Sequence, residues 1–292
     1  MTNKLREALT RGQESELIES ELYGTIIDSV QATTVGTQLV AVRFSPTDIP
    51  GSSIDVPLNH KNSMAVDSIA EGAEFRKDRA AAVSFNLKPM KYGLDCQITK
   101  EMTEDAKFSM LEWNIKEAGY QMARKLDSLI LAEIATASPL TDSTGTTYGE
   151  ILSATRNVSG GTAVTLANIS TAVKNIESND YVADYLIVSP AVADDLRNID
   201  TFHEADKSGS REMFERGMIG RIMGMKVIVS SQVTANYAYV IDSRHALCLA
   251  EKRPITVERY NQANMDLVGL AVSARWGARY LRPGACSMIT SS

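Results

Sequence analysis

Residues 109–137 read SMLEWNIKEAGYQMARKLDSLILAEIATA. Within them Leu111, Ile115, Ala118, Met122, Leu126, Leu129 and Ile134 recur at steps of three to five residues, the spacing of a helix with one apolar face. Glu112, Lys116, Glu117, Arg124, Lys125, Asp127 and Glu133 are expected on the opposite, solvated side. At 1.5 Å per residue this rod would be about 40 Å long, well beyond the usual helix of a globular domain. Ser138-Pro139 ends it, because proline cannot continue a helix.

Upstream of the rod, Met90–Thr99 reads as a strand with Tyr92, Leu94, Cys96 and Ile98 on one face. Thr99 or Thr103 can cap the following helical turns through its hydroxyl. Ile54–Leu58 and Ala82–Leu87 are extended segments joined by a long polar stretch, Asn59 to Arg79, in which Met64, Val66, Ile69 and Phe75 are scattered. Together they predict a long hairpin with too few apolar residues for a core of its own. A lone two-stranded hairpin is marginal in water, so this limb is expected to find its stability only across another molecule. A strand over Gln38–Phe44 precedes it. Before that, residues 4–30 carry Leu5, Leu9, Leu17, Ile18, Leu22, Ile26 and Ile27 at helical spacing, interrupted by Gly12 and Gly24.

Downstream, a Ser/Thr/Gly-rich loop covers Pro139–Gly161. A helix over Leu166–Ser178, a strand over Tyr185–Ser189 and a helix over Pro190–Ile199 follow, with Pro190 suited to a first helical turn. Residues 200–220 read as a polar loop. The remaining strands are expected at Lys226–Ser230, Tyr237–Asp242, Ala246–Ala250, Ile255–Tyr260 (introduced by Pro254) and Leu267–Ala278. Strands and helices do not alternate strictly, so the class is mixed α+β and not a doubly wound parallel sheet.

The chain has 292 residues, 44% hydrophobic and 23% charged, enough for one large domain or two modest ones. Its net charge of −6 argues against a dedicated nucleic-acid binder, which would carry a basic face. Cys96, Cys248 and Cys286 are far apart and form no CxxC pair, which disfavours both a thiolate metal site and a disulfide framework. His60, His203 and His245 are also dispersed, without HExxH. Neither GxSxG nor a GxxxxGK[ST] phosphate loop occurs. Gly217, Gly220 and Gly224 precede a strand and not a helix, so they suit a tight turn better than a dinucleotide fingerprint. Asp194-Asp195 occupies adjacent helical positions and is read as solvated. These absences predict no enzyme, no catalytic residue, no cofactor and no metal site. No apolar run approaches the ~20 residues of a membrane span, and the polar N-terminus is unlike a signal peptide. A reducing cytoplasm, or a particle assembled there, is the expected home.

Four stretches together resemble the major capsid protein family of tailed viruses, with its HK-ninety-seven-like fold. Lys91–Glu101 is similar to the strand leading out of the family's extended loop. Ser109–Ala137 resembles its spine helix, Ala183–Pro190 the strand-then-helix of its axial domain, and Gly220–Ser230 its glycine turn and following strand. Tyr239–Asp242 and Arg275–Ala285 are similar to its final strands. Each pattern is loose; their order and spacing carry the likeness, from about residue 20 to 286.

The resemblance implies an N-terminal arm (1–45), an extended loop (46–90), a peripheral-domain strand and spine helix (91–139), an axial domain (140–250) and return strands with the C-terminus (251–292). It further implies hexamers and pentamers closing into an icosahedral shell around double-stranded DNA, contacted non-specifically. Portal and scaffold or decoration proteins are implied partners, and no membrane is. Only about 45 residues precede the loop, fewer than in members with a large N-terminal scaffolding segment. A separate scaffold, a removed segment or no scaffold would each fit, and Met1 speaks against removal. Glu71, Glu74, Phe75, Arg76, Lys77 and Arg79 are the candidate intersubunit contacts. Some shells of this type crosslink a hairpin lysine to a neighbour's asparagine; here Lys61 or Lys77 would face Asn261 or Asn264. An encapsulin-like compartment shares the fold and holds protein cargo. A different virion part, such as a tail-tube protein, would be mostly β without so long a helix, and an enzyme would need a constellation that is not found.

Overall fold

The computed structural model describes residues 35–59, 64, 66–77, 82–105, 110–136, 157–161, 163–198 and 220–291. The expected arm helices over 4–30, loop residues 200–219, His60, Lys61, Arg79 and His203 lie outside the described residues. In chain order the strands are β1 Val40–Phe44, β2 Ile54–Asn59, β3 Ala82–Leu87, β4 Met90–Thr99, β5 Asn157–Gly161 and β6 Tyr185–Val188. They continue as β7 Arg221–Ile222, β8 Met225–Val229, β9 Tyr237–Ile241, β10 Leu247–Gln262, β11 Leu267–Tyr280 and β12 Cys286–Ser291. Helices cover Lys100–Asp105, Met110–Thr136, Leu166–Glu177 and Pro190–Arg197.

Among the described residues three sheets result: β1-β10-β11-β4, β5-β12-β9-β6-β8-β7, and the separate pair β2-β3. Parallel pairs (β1 with β10, β5 with β12, β6 with β8) mix with antiparallel ones, the α+β arrangement expected. The long helix buries Ile115, Ala118, Met122, Leu126, Ile130 and Ile134 in one continuous core with Leu270, Val272, Ala274 and Trp276 of β11 and with the inner residues of the six-stranded sheet. Tyr92 of β4 stacks on Trp276 at 6.4 Å, and the Lys125 ammonium lies 5.4 Å from the Tyr92 ring.

Local signals mostly place the elements where the spacing puts them. Thr99 Oγ1 accepts from the Met102 amide at 3.2 Å, and Ser189 Oγ caps the helix that Pro190 opens. Met223 and Gly224, at φ 50° and 82°, make the two-residue turn between β7 and β8, as left-handed residues do in tight hairpins.

Five expectations are corrected. Gln38 and Leu39 belong to a 3-10 turn, Gly36–Leu39, and only Val40–Phe44 is strand. The two strands expected on either side of Pro254 are one, β10, whose pairing with β11 slips between Glu251 and Thr256; proline lacks an amide to donate and sits at that irregularity. Residues 157–161, assigned to a loop, pair with β12, itself unforeseen beyond Ala285. Asp127, placed on the solvated side of the long helix, is only 5% exposed. Asp195, read as solvated, accepts from the Val164 amide at 3.2 Å.

Candidate assembly surfaces

The β2-β3 hairpin has a root and a tip that differ physically. At the root, Val56, Phe85 and Leu87 pack with Ile49 and with Cys248 and Ala250 of β10, while Phe44, Ile54, Leu58 and Leu281 close the sides. The Arg279 guanidinium lies 5.3 Å from the Phe85 ring and donates to the Asn86 carbonyl at 2.9 Å. Lys252 donates to the Ile49 carbonyl. The limb was expected to depend wholly on another molecule; its root is instead anchored in its own subunit by this second, smaller core. The link Lys88–Pro89 then crosses β11 at Gly277, where a Cβ would sit 3.1 Å from the Lys88 carbonyl oxygen and from Pro89 Cα. Glycine lets the backbones pass this closely, whereas a Cβ would push the Lys88–Pro89 backbone outward.

Among the described residues the tip belongs to neither buried cluster. Ala70 to Ala73 form a turn closed by the Ala73 amide on the Ala70 carbonyl at 3.0 Å, with Gly72 at φ 82°. Val66 is fully exposed and Phe75 is 79% exposed. Of the candidate contact residues, Glu71, Glu74, Phe75, Arg76 and Lys77 all lie exposed on this tip. Arg76 Nη1 is 3.4 Å from Asp67 Oδ2. Lys77, Asn261 and Asn264 are exposed, the asparagines near the β10-β11 turn.

The four-stranded sheet has one face on the long helix and one toward solvent. On the solvent face, Lys91, Arg275 and Arg253 stand directly opposite one another across β4, β11 and β10. Two residues along come Gly93, Ser273 and Thr256, then Asp95, Ala271 and Glu258, then Gln97, Gly269 and Tyr260. The Tyr260 ring covers Gly269, and its hydroxyl donates to Asp95, which holds the phenol above its ordinary pKa. A single side chain thus fixes one end of the face.

Other polar groups serve the fold. Asp127 accepts the Gly36 amide at 2.8 Å and the Val35 amide at 3.0 Å, pinning the 3-10 turn to the long helix; burial raises its pKa more than the two amides lower it. Burial likewise raises Glu133, against the opposing pull of Arg279. Buried Asp242 accepts from His245 Nδ1 at 2.8 Å, with Tyr181 tilted against the imidazole, and Asp184 holds the Ser243 hydroxyl. Among the described residues no hydrogen bond joins that histidine to a nucleophile. All three cysteines are free; Cys248 is pushed up to about 12, chiefly by burial. Among the described residues no group of His, Cys, Asp and Glu could hold a metal ion, and no helix is long and apolar enough to cross a membrane.

Neither Asp127 nor the cationic row was singled out from the sequence. Asp127 had a signal: it follows Ala123 by four and precedes Ile130 by three, the spacing of the buried stripe. The row had none, since its members are contributed by strands whose register is not written in local spacing.

The family model described as phage capsid protein matches residues 82–286. No curated protein matches the chain. Among solved structures, a Mycobacterium phage Che8 chain is similar at TM-score 0.69 and 14% identity, covering 88% of this chain and 90% of that one. The capsid of Cyanophage P-SCSP1u is similar at TM-score 0.69 and 16% identity, covering 89% and 88%. A virus-like particle from Pyrococcus furiosus is similar at TM-score 0.61 and 14% identity, covering 93% and 99%.

Proposed function

From the premise that this chain belongs to the phage capsid protein family, and is a structural subunit of a virion shell with the HK-ninety-seven-like fold, we propose that it closes that shell through hexamers and pentamers around double-stranded DNA. In this reading residues 46–90 form the extended loop, lying across an adjacent copy. Residues 91–139 with part of 251–292 form the peripheral domain and 140–250 the axial domain. The chain does no chemistry. DNA is enclosed without sequence-specific contact, and a portal and a scaffold or decoration protein complete the particle.

One observation carries the reading: a limb whose tip exposes Val66 fully and Phe75 at 79%, beyond a root firmly held in its own subunit. Such a tip, wasteful on a monomer, gains by covering apolar surface on a neighbour. Repeating a head-to-tail contact of this kind closes rings. A protein compartment built on the same fold is the weaker reading, because the family matched is that of a phage capsid.

Negative-stain electron microscopy of the purified full chain tests this. Hollow spheres of uniform size, or rings of five and six, are expected. A stable monomer at high concentration overturns the proposal.

A further inference from the structure

Strand β4 is an open edge. It ends one side of the four-stranded sheet and pairs with β11 over Met90–Thr99 in one unbroken register. Among the described residues no backbone hydrogen bond reaches the far side of residues 90–98. An exposed strand edge is a template for another strand, and proteins ordinarily blunt it with short strands, proline or bulges. Other outer strands of this chain are blunted in these ways. β7 has two residues, β1 and β5 have five each with a register shift, and β2 carries Pro57. β4 has ten residues, no proline and no bulge.

Its side chains match a particular partner. On the solvent face, exposed Lys91 has no acidic partner among the described residues, and Asp95 follows four residues later. Tyr260 and Gln97 donate to Asp95 and hold it in place, and its carboxylate keeps acceptor capacity for a cation. On the helix face, Met90 is 61% exposed, and Tyr92, Leu94 and Cys96 are only half-buried. Two copies of β4 laid antiparallel about Gly93 put Lys91 directly opposite Asp95 twice, Tyr92 opposite Leu94 twice and Met90 opposite Cys96 twice. Directly opposite residues of an antiparallel pair project to the same face, so the ion pairs gather on one side and the apolar pairs on the other. Sliding one strand by four residues sets Lys91 against Lys91 or Asp95 against Asp95. Sliding it by two leaves neither charge opposite the other, and any odd shift turns the apolar face outward.

We propose that the β4 edges of two copies of this chain pair antiparallel about a twofold axis through Gly93, continuing the four-stranded sheet of one copy into that of the other. Such a contact is isologous, unlike the head-to-tail contacts that close rings, so within a shell it would join one ring to the next. That role rests on the shell reading; the pairing itself does not. Residues 90–96 alone make a smaller interface than a stable dimer has, so the pairing forms in concentrated subunits or within an assembly, where the local concentration is high.

Disulfide trapping reads the register on the full chain. Met90→Cys sets a thiol opposite the native Cys96 of the second copy, on the helix face. Lys91→Cys combined with Asp95→Cys does so on the solvent face. Within one chain these positions are about 20 and 13 Å apart along the strand, beyond the reach of a disulfide, so a bond between them joins two copies. Concentrated subunits and sedimented particles are oxidised and run on a non-reducing gel, with circular dichroism checking that each variant is folded. Both variants are expected to give at least about tenfold more covalent dimer than the parent, because the pairing raises the effective thiol concentration. Lys91→Cys alone, and Met90→Cys combined with Cys96→Ser, are expected to stay at the parent level. A folded variant of either kind that yields no more dimer than the parent overturns the proposal, and so does equal dimer from Lys91→Cys alone, which would mark a different register. Met90→Cys, at an exposed position, decides by itself should the doubly substituted chain not fold. Particles without crosslinks would remove the pairing and leave the shell reading; crosslinked dimers without particles would support the pairing and remove the shell reading.

Discussion

Asp127 shows how a single carboxylate ties the chain's early residues to its central rod. It is the sole acceptor for two backbone amides, one of them buried, at 2.8 and 3.0 Å. Asp127→Ala is expected to cost about 1–3 kcal/mol in a urea melt of unassembled subunits, because two donors lose their partner. The pH dependence has a definite sign. Folding raises this carboxyl's pKa above its ordinary value of 3.8, mainly by burial, so the native state binds more protons than the unfolded one in the window just above 3.8. The ionisation contribution to stability is present below 3.8 and is lost as pH rises through the raised value. Asp127→Asn removes the titration, so the parent's stability relative to this variant should fall across that window; an unchanged or rising difference would contradict the assignment.

At the scale of elements, the root core makes the hairpin a fixed limb and not a loose strap. Phe85→Ala removes a ring that is 5% exposed and sandwiched between β10 and Arg279. A core truncation of this size typically costs about 3–5 kcal/mol. Because the small cluster holds only the root, the loss should show as faster limited proteolysis within residues 54–87, with the main core intact; uniform destabilisation would count against two separate clusters. The sequence made the elements legible where one period dominated: the long helix, the hairpin arms and β4 all follow their apolar spacing. It was less informative where long-range pairing decides. Residues 157–161 are Asn-Val-Ser-Gly-Gly, a turn-like composition, and are strand only because β12 lies beside them. Pro254 reads as a boundary, yet β11 carries the strand past it. The candidate contacts on the tip were visible as charge and exposed apolar residues. The cationic row of the four-stranded sheet was not, since Lys91, Arg275 and Arg253 come from distant parts of the chain.

For the whole molecule, one continuous core joins the long helix to both large sheets, and among the described residues the hairpin tip, residues 66–77, lies outside both buried clusters. In free subunits the tip, residues 66–77, should exchange its amide hydrogens rapidly. In assembled particles the same amides should slow by at least about tenfold, if burial against a neighbour is what supports the tip. Equal exchange in both states would deny that role. The crossing of Lys88–Pro89 over Gly277 then has a mechanical meaning. It is a fulcrum, with a lever of six residues, about 20 Å, beyond it. Wedging a single methyl group under that fulcrum would shift the far end by several times the thickness added, so the direction in which the limb leaves its own subunit is set at Gly277.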